Sequence, residues 1–374
     1  MSLSRILIIS IVIIVILIIG VAVYTITNRA VETPQTREIR ANGGGSSFIN
    51  PQMQVWARSY YNATKGSVII NYQSIGSGAG QRGLLEGSLD FAGSDIPLIP
   101  ENYKAAREKG LKIIQFPIIG GSVAVVYNIP EWNDSLCGPL RMTPEAIAGI
   151  YLGEIAYWDD PAIRDVQIEN CRNLLPHKQI TAIHRSDGSG TTYLFTLFLS
   201  KAVPKWNSTV GYGLTVAWPV DNIGRGVGGK GSEGLIALVK QTPYSIGYVE
   251  PNYAKREKIP IAAVRNKLGQ YLLPEDKYVI ETMRRGAQEL PPLDQDLSFL
   301  PYEFVYRGEP DTYPIVGTPY IILSLNISND KLLALKEFFK YALSEGQMNL
   351  LEGYVPLPSE LRDKIISYLD QYIK

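Results

Sequence analysis

The spacing of apolar positions changes several times along this chain, and each change marks an element. Residues 6–24 are uncharged and dominated by Ile, Val and Leu, long enough to cross a bilayer, which takes about 20 residues. Residues 25–41 are polar, carry both signs of charge and show no apolar period, the pattern of a tether. From Asn42 onward strands and helices alternate. Met53, Trp56 and Tyr60 share a helical face from about Pro51, residues 68–72 read as a strand, Leu84 and Leu85 sit in a short helix, and 91–93 form a strand again. A helix near 101–109 and strands at 113–116 and 123–128 follow. Thr143-Pro144-Glu145 combines a capping hydroxyl, proline at the first helical position and an acid in the first turn, and so starts a helix. Further strands are predicted at 180–183, 245–249 and 320–325, with helices over 332–344 and 359–372. Such βα alternation predicts an open, largely parallel sheet.

Composition narrows the role of this framework. Basic and acidic residues number 36 each, so no overall field favours nucleic acid, and an anion must be held by local groups. The 374 residues leave room for about two domains. Segment 1–24 is expected to be an uncleaved membrane anchor, a removed signal peptide being the alternative. Its apolar run exceeds the usual signal core, no A-x-A-like cleavage site is evident, and no cysteine follows to carry lipid. The bulk of the chain is then expected outside the cell. Cys137 and Cys171 suit that compartment and could pair there. Sequons at Asn62, Asn133, Asn207 and Asn326 agree with an exterior location, though such triplets often arise by chance.

Candidate chemistry concentrates where strands hand over to helices. In 184–195 an apolar strand ends in His184-Arg185-Ser186-Asp187-Gly188-Ser189-Gly190-Thr191-Thr192, which opens an apolar helix. Glycines allow a tight turn, hydroxyls stand where a helix leaves its first N–H groups unpaired, and Arg185 adds a charge that grips oxyanions through two donors. An ordinary helix cap explains such a loop equally well when it stands alone. Three further stretches share its logic: Gly43-Gly44-Gly45-Ser46-Ser47-Phe48, Gly76-Ser77-Gly78-Ala79-Gly80, and Phe91-Ala92-Gly93-Ser94-Asp95. In an open α/β sheet such positions lie beyond the carboxyl ends of strands, where ligands bind. Together they describe a site for a small oxyanion that also donates a proton, because Asp95 beside an anion is repulsive unless the ligand supplies a hydrogen. Protonated phosphate supplies one; sulfate at neutral pH does not. Asp95 is thus the expected selectivity residue, and Asp187 is expected to brace Arg185.

Two segments, 116–121 and 313–318, each place aromatic-Pro-Ile ahead of a strand and are candidates for two crossings between domains. Competing chemistries fit poorly. Residues 224–230 approach a nucleotide-binding P-loop, but Gly231 stands where Ser or Thr must meet Mg²⁺. His184, Asp187 and Ser189 are too close on one turn to form a hydrolase triad. Cys137, Cys171, His177 and His184 lack paired zinc spacing, so no metal or other cofactor is expected.

These motifs, with Tyr151-Leu152-Gly153-Glu154-Ile155, Trp158-Asp159-Asp160, Gly228-Gly229-Lys230-Gly231 and Ile246-Gly247-Tyr248-Val249-Glu250, occur in the order seen in the phosphate-binding proteins of phosphate ABC importers. The resemblance runs from about residue 42 to the C-terminus. It implies a two-lobed periplasmic-binding-protein fold with two hinge crossings, lobe I comprising 42–122 and 258–374 and lobe II 123–257, preceded here by the transmembrane helix. It further implies a non-enzymatic monomer that contacts phosphate through Ser47, the Phe48 backbone N–H, Ser77, Asp95, Arg185, Ser189, Gly190 and Thr191, with Asp187 supporting Arg185. The implied partner is an ABC permease. Ser47 stands where the family usually has Thr, and residues 221–226 lengthen the approach to the Gly-Gly-Lys-Gly segment. The alternatives are a binder of arsenate or sulfate, and a phosphatase-like enzyme on the same lobes.

Overall fold

The structure, a computed structural model, describes residues 3–27, 38–286 and 290–374. Two units are present, Met1–Glu38 and Ile39–Lys374. In the first, a helix covers Leu3–Thr27, and the aliphatic side chains described along it are exposed. Side chains are described without interruption over 10–24, and among the described residues no helix is long and apolar enough to cross a membrane. Most of the expected tether, 28–37, lies outside the described residues. Its end is a correction, because residues 39–41 are already strand: Ile39, Arg40 and Ala41 align with Val68, Ile69 and Ile70.

The second unit holds all fourteen strands found among the described residues. In chain order they are β1 (Ile39–Gly45), β2 (Val68–Ser74), β3 (Phe91–Ser94), β4 (Ile113–Pro117), β5 (Gly121–Ser122), β6 (Ala124–Asn128), β7 (Arg141–Met142), β8 (Thr181–Arg185), β9 (Gly226–Gly229), β10 (Ser245–Val249), β11 (Ala263–Arg265), β12 (Tyr271–Leu272), β13 (Val316–Gly317) and β14 (Tyr320–Ser324). One sheet has the order β2-β1-β3-β14-β4 and another β6-β10-β8-β9. In the first, β1 is parallel to β2 and β3, whereas β14 runs antiparallel to β3 and β4. In the second, β8 is parallel to β9 and β10 while β6 is antiparallel to β10. Each sheet is therefore mixed. Apolar periodicity marks a strand but not its direction, which for β14 is fixed by its antiparallel pairing with β3 and β4.

The two proline-led segments meet. β5 pairs antiparallel with β13, Ser122 facing Val316 and Gly121 facing Gly317, and the Val123 N–H donates to the Ile315 carbonyl at 2.8 Å. The strand pairing differs from the expected return to lobe I at 258. β11 is parallel to β7, and the Ala262 N–H donates to the Val125 carbonyl at 2.8 Å, so 261–265 extend the second lobe. The chain is back against the first sheet by 290–295, where the Gln115 N–H donates to the Leu293 carbonyl at 2.8 Å and the Lys364 ammonium to the Leu290 carbonyl at 2.6 Å.

Packing fixes each helix beside its sheet. The helix Asn50–Ala63 buries Met53 and Trp56, and the indole N–H of Trp56 donates to the Gly346 carbonyl at 2.9 Å. Thr143 caps its helix by accepting from the Ala146 N–H at 3.1 Å, as its sequence predicts. Cys137 and Cys171 form a disulfide with Cα atoms 5.9 Å apart and a separation of 34 residues. Closing a loop of that length stabilises by roughly 3–4 kcal/mol on the chain-entropy model. Both cysteines lie within the second lobe, away from the crossings.

Candidate functional site

The carboxyl ends of β1, β2, β3 and β8 carry the candidate residues. β8 delivers Arg185, and Ser189 then caps the helix Gly190–Ala202 by accepting from the Thr192 N–H at 3.1 Å. Arg185 is only 5% exposed. Its Nε donates to Asp187 Oδ1 at 2.8 Å, Nη2 to Asp187 Oδ2 at 2.6 Å, and Nη1 to Ser232 Oγ at 3.3 Å. Of the five N–H donors of a guanidinium, these contacts leave one on each terminal nitrogen. Asp187 also accepts from the Gly231 N–H at 3.0 Å. Burial works against both charges, but the paired hydrogen bonds prevail: Asp187 is held below the ordinary carboxylate range and Arg185 is raised. Asp187, the residue expected to brace Arg185, is placed against its guanidinium. His184 points elsewhere, its Nε2 lying 2.9 Å from Asp221 Oδ1 and its ring stacked on Trp218.

The first lobe contributes the opposite character. β3 leads directly into Asp95, which is 2% exposed. The Ser46 hydroxyl donates to Asp95 Oδ1, and the Asp95 N–H donates to Ser77 Oγ at 3.2 Å. Ser77 is the first residue of the helix Ser77–Leu85. Burial raises the Asp95 carboxyl above its ordinary value, against the hydrogen bond from Ser46, the charge of Arg185 and the hydroxyls of Thr191 and Ser77. Tyr72 steadies the loop by donating its hydroxyl to the Ser46 carbonyl at 3.0 Å. Phe48 is fully buried, and its carbonyl accepts from the Tyr354 hydroxyl.

The lobes touch across this point. Ser47 Oγ lies 2.9 Å from Ser232 Oγ and accepts from the Ser232 N–H at 3.2 Å. Thr191 Oγ1 lies 3.1 Å from Asp95 Oδ2 and 2.7 Å from Glu250 Oε1. The Gly78 N–H donates to the Gly188 carbonyl at 2.9 Å, and a Cβ on Gly78 would stand 3.1 Å from the Gly188 Cα. Gly190 has no room for a side chain, since a Cβ there would meet Asp95 Cβ at 2.7 Å and Ser77 Oγ at 2.8 Å.

All eight expected contact residues are thus gathered at one interlobe point. The backbone N–H groups of Phe48, Gly190 and Thr191 have no hydrogen-bond acceptor among the described residues. With the two remaining Arg185 N–H groups and the surrounding hydroxyls they form a dense donor set, and Asp95 is the charged acceptor among it. Such a set suits a tetrahedral oxyanion that brings a hydrogen of its own. Among the described residues no group of His, Cys, Asp and Glu could hold a metal ion. Three participants were not expected. Ser46 sits beside the candidate Ser47, and Ser232 follows the Gly-Gly-Lys-Gly segment. Glu250 ends β10 as Asp95 ends β3, a pattern the sequence displays. The near-P-loop glycines form β9, extended backbone rather than a phosphate cradle.

Residues 30–345 match the PBP superfamily domain. The phosphate-binding protein PstS of Methanocaldococcus jannaschii is 38% identical over 338 residues, 88% of this chain and 85% of that protein. That of Pasteurella multocida is 38% identical over 86% of this chain and 88% of its own length. Among solved structures, a high affinity periplasmic phosphate-binding protein bound with phosphate superposes with a TM-score of 0.66 at 21% identity, covering 88% of this chain and 93% of that one. A phosphate-binding protein from Stenotrophomonas maltophilia gives 0.62 at 20% identity, over 88% and 94%.

Proposed function

Because the chain belongs to the PBP superfamily and, within it, to the PstS family of phosphate-binding proteins, we propose that it captures inorganic phosphate outside the cell and delivers it to an ABC-type permease. The observation that carries this reading is a buried carboxylate, Asp95, set among hydroxyls, free helix N–H groups and the braced guanidinium of Arg185. Ser47, Phe48 N–H, Ser77, Arg185, Ser189, Gly190 and Thr191 contact the phosphate oxygens, and Asp95 accepts the hydrogen that phosphate carries. Sulfate at neutral pH has none, so Asp95 would face a bare anionic oxygen. An uncompensated buried acceptor costs several kcal/mol, on the order of 10³-fold in affinity.

Capture works by closure. Each lobe supplies part of the donor set, so only the closed state satisfies the ligand, and phosphate shifts the population toward it. The short β5–β13 pair forms part of the hinge between lobe I, with 39–122, 290–295 and 316–374, and lobe II, with 123–265. The protein acts as a monomer, and its 1–24 segment anchors it to the membrane, the binding unit lying outside. This chemistry is binding without turnover, in keeping with the phosphate-binding relatives.

Calorimetric titration of the full chain in detergent with phosphate, arsenate and sulfate tests the reading. Tight stoichiometric phosphate binding with sulfate rejected is the expected result. Sulfate binding as tight as phosphate would overturn the role of Asp95, and steady turnover of a chromogenic phosphate ester would replace binding by catalysis. Arsenate carries the same hydrogen and is expected to compete.

A further inference from the structure

Thr191 stands between two carboxyl groups. Its Oγ1 is 3.1 Å from Asp95 Oδ2 and 2.7 Å from Glu250 Oε1, yet a hydroxyl carries one hydrogen. It can donate to one carboxylate only. If both were ionised, the other contact would set a hydroxyl lone pair against a negative oxygen inside a buried site. A second proton resolves the conflict, and it must reside on one of the two carboxyls.

The surroundings decide which. Asp95 receives the Ser46 hydroxyl on Oδ1, lies near Arg185 and is eased by Ser77. Glu250 is fully buried, and its Oε2 has no hydrogen-bond partner among the described residues. The groups facing Glu250 are Asp95, which repels its charge, Thr191, Arg185 and Ser232, which ease it, and the hydroxyls of Tyr253 and Tyr354. Ser232 lies near enough to ease the charge but forms no hydrogen bond with Oε2, its hydroxyl contacting Ser47 and Arg185. An unpartnered neutral carbonyl oxygen costs far less than an unpartnered anionic one.

Resting on the phosphate-binding reading, we infer that Glu250 is a positioning residue that holds a proton on Oε1, donates it to Thr191 Oγ1, and so frees the single Thr191 hydrogen, for Asp95 in the empty site and for an anion oxygen in the loaded one. Loss of that proton reverses the relay. Thr191 then donates to Glu250, presents a lone pair to the anion, and a second negative charge enters the site. Burial, reinforced by Asp95, pushes the Glu250 carboxyl up to about 7, so the reversal falls within the range where the protein can be studied.

The test is the pH profile of phosphate affinity for the full chain in detergent, compared with Glu250→Gln and Glu250→Ala. The glutamine amide donates to Thr191 at every pH; alanine cannot donate. Phosphate's own ionisation affects all three proteins alike and cancels in the ratios. The parent's affinity should fall relative to Glu250→Gln by about tenfold between about pH 6 and pH 8.5, one pKa unit of linkage being a factor of ten. Glu250→Ala should be weaker than Glu250→Gln throughout. A parent-to-glutamine ratio that does not change with pH would overturn the inference. A second measurement needs no ligand: in protein labelled at glutamate side-chain carboxyls, a ¹³C resonance that Glu250→Gln removes should titrate near neutrality. Titration of that resonance in the ordinary glutamate range would also overturn it. Absence of phosphate binding in all three proteins, with the resonance still titrating near neutrality, would instead defeat the phosphate reading and leave the proton on Glu250 standing.

Discussion

Asp95 and Asp187 are the same residue, each in the loop beyond a strand end, and the two loops press against one another. They do opposite things. Asp187 meets the Nε and Nη2 donors of Arg185 and the Gly231 N–H, so its charge is neutralised and its carboxyl held low. Asp95 meets neutral hydroxyls, with Arg185 acting on it only through the field, and burial raises it. One carboxylate is consumed by the protein, whereas the other is kept for the ligand. What a buried acid does is set by how many of its acceptor sites the fold has already filled.

Removing the charge that is kept for the ligand should have the largest effect. Asp95→Asn replaces an obligate acceptor by an amide that can donate, so discrimination between phosphate and sulfate should fall by about 10³-fold, read by calorimetry with each anion. A variant that rejects sulfate as strongly as the parent would remove the distinction between the two aspartates. Arg185→Met should weaken phosphate binding by roughly 10²-fold, the value of about two charge-assisted hydrogen bonds, with arsenate weakened in step. Asp187→Asn should cost less, about tenfold, because the guanidinium keeps its charge and loses part of its brace. A drop equal to that of Arg185→Met would mean that Asp187 touches the anion itself.

The smallest effect sharpens the comparison through its sign. Asp187 titrates lower in the folded chain than in the unfolded one, so its contribution is present above the unfolded value near 3.9 and lost as pH falls through the folded value. Asp95 titrates higher, so the folded state binds the extra proton and stability declines as pH rises from near 3.9 through its raised value. Glu250 acts in the same direction between its ordinary 4.5 and about 7. Urea melts of the ligand-free protein should therefore show Asp187→Asn losing part of the parent's acid sensitivity. Asp95→Asn should gain on the parent as pH rises above about 4. Parallel pH curves for the two variants would contradict the assignment.

Most strands and helices were legible because their apolar periods are long and clear: the helix predicted at 359–372 is Ser359–Tyr372, and the strand predicted at 245–249 is Ser245–Val249. The candidate site was legible too, since each loop pairs glycine with hydroxyls at a helix start. Three things were not. The direction of β14 and the extension of the second lobe to β11 are set by pairings between residues more than a hundred positions apart, which no local pattern encodes. Ser46 is not distinguished by the sequence, because a Ser-Ser pair does not say which hydroxyl meets Asp95. Glu250 ends an apolar strand just as Asp95 does, but its importance depends on sharing Thr191 with that residue, a fact of three dimensions.

The meeting of Gly78 with Gly188 has a thermodynamic consequence. Ordering a long side chain costs up to about 2 kcal/mol in rotamer freedom, whereas glycine has none to lose. Gly76, Gly78, Gly188 and Gly190 all lie at this seam, where a Cβ on any of them would press on the opposing loop. At Gly78 and Gly188 backbone therefore closes on backbone, and no rotamer is frozen at that contact as the lobes come together. The conformational entropy opposing closure is lowered by what those side chains would have cost, and the ligand needs a correspondingly smaller difference in affinity between open and closed forms to draw the lobes shut.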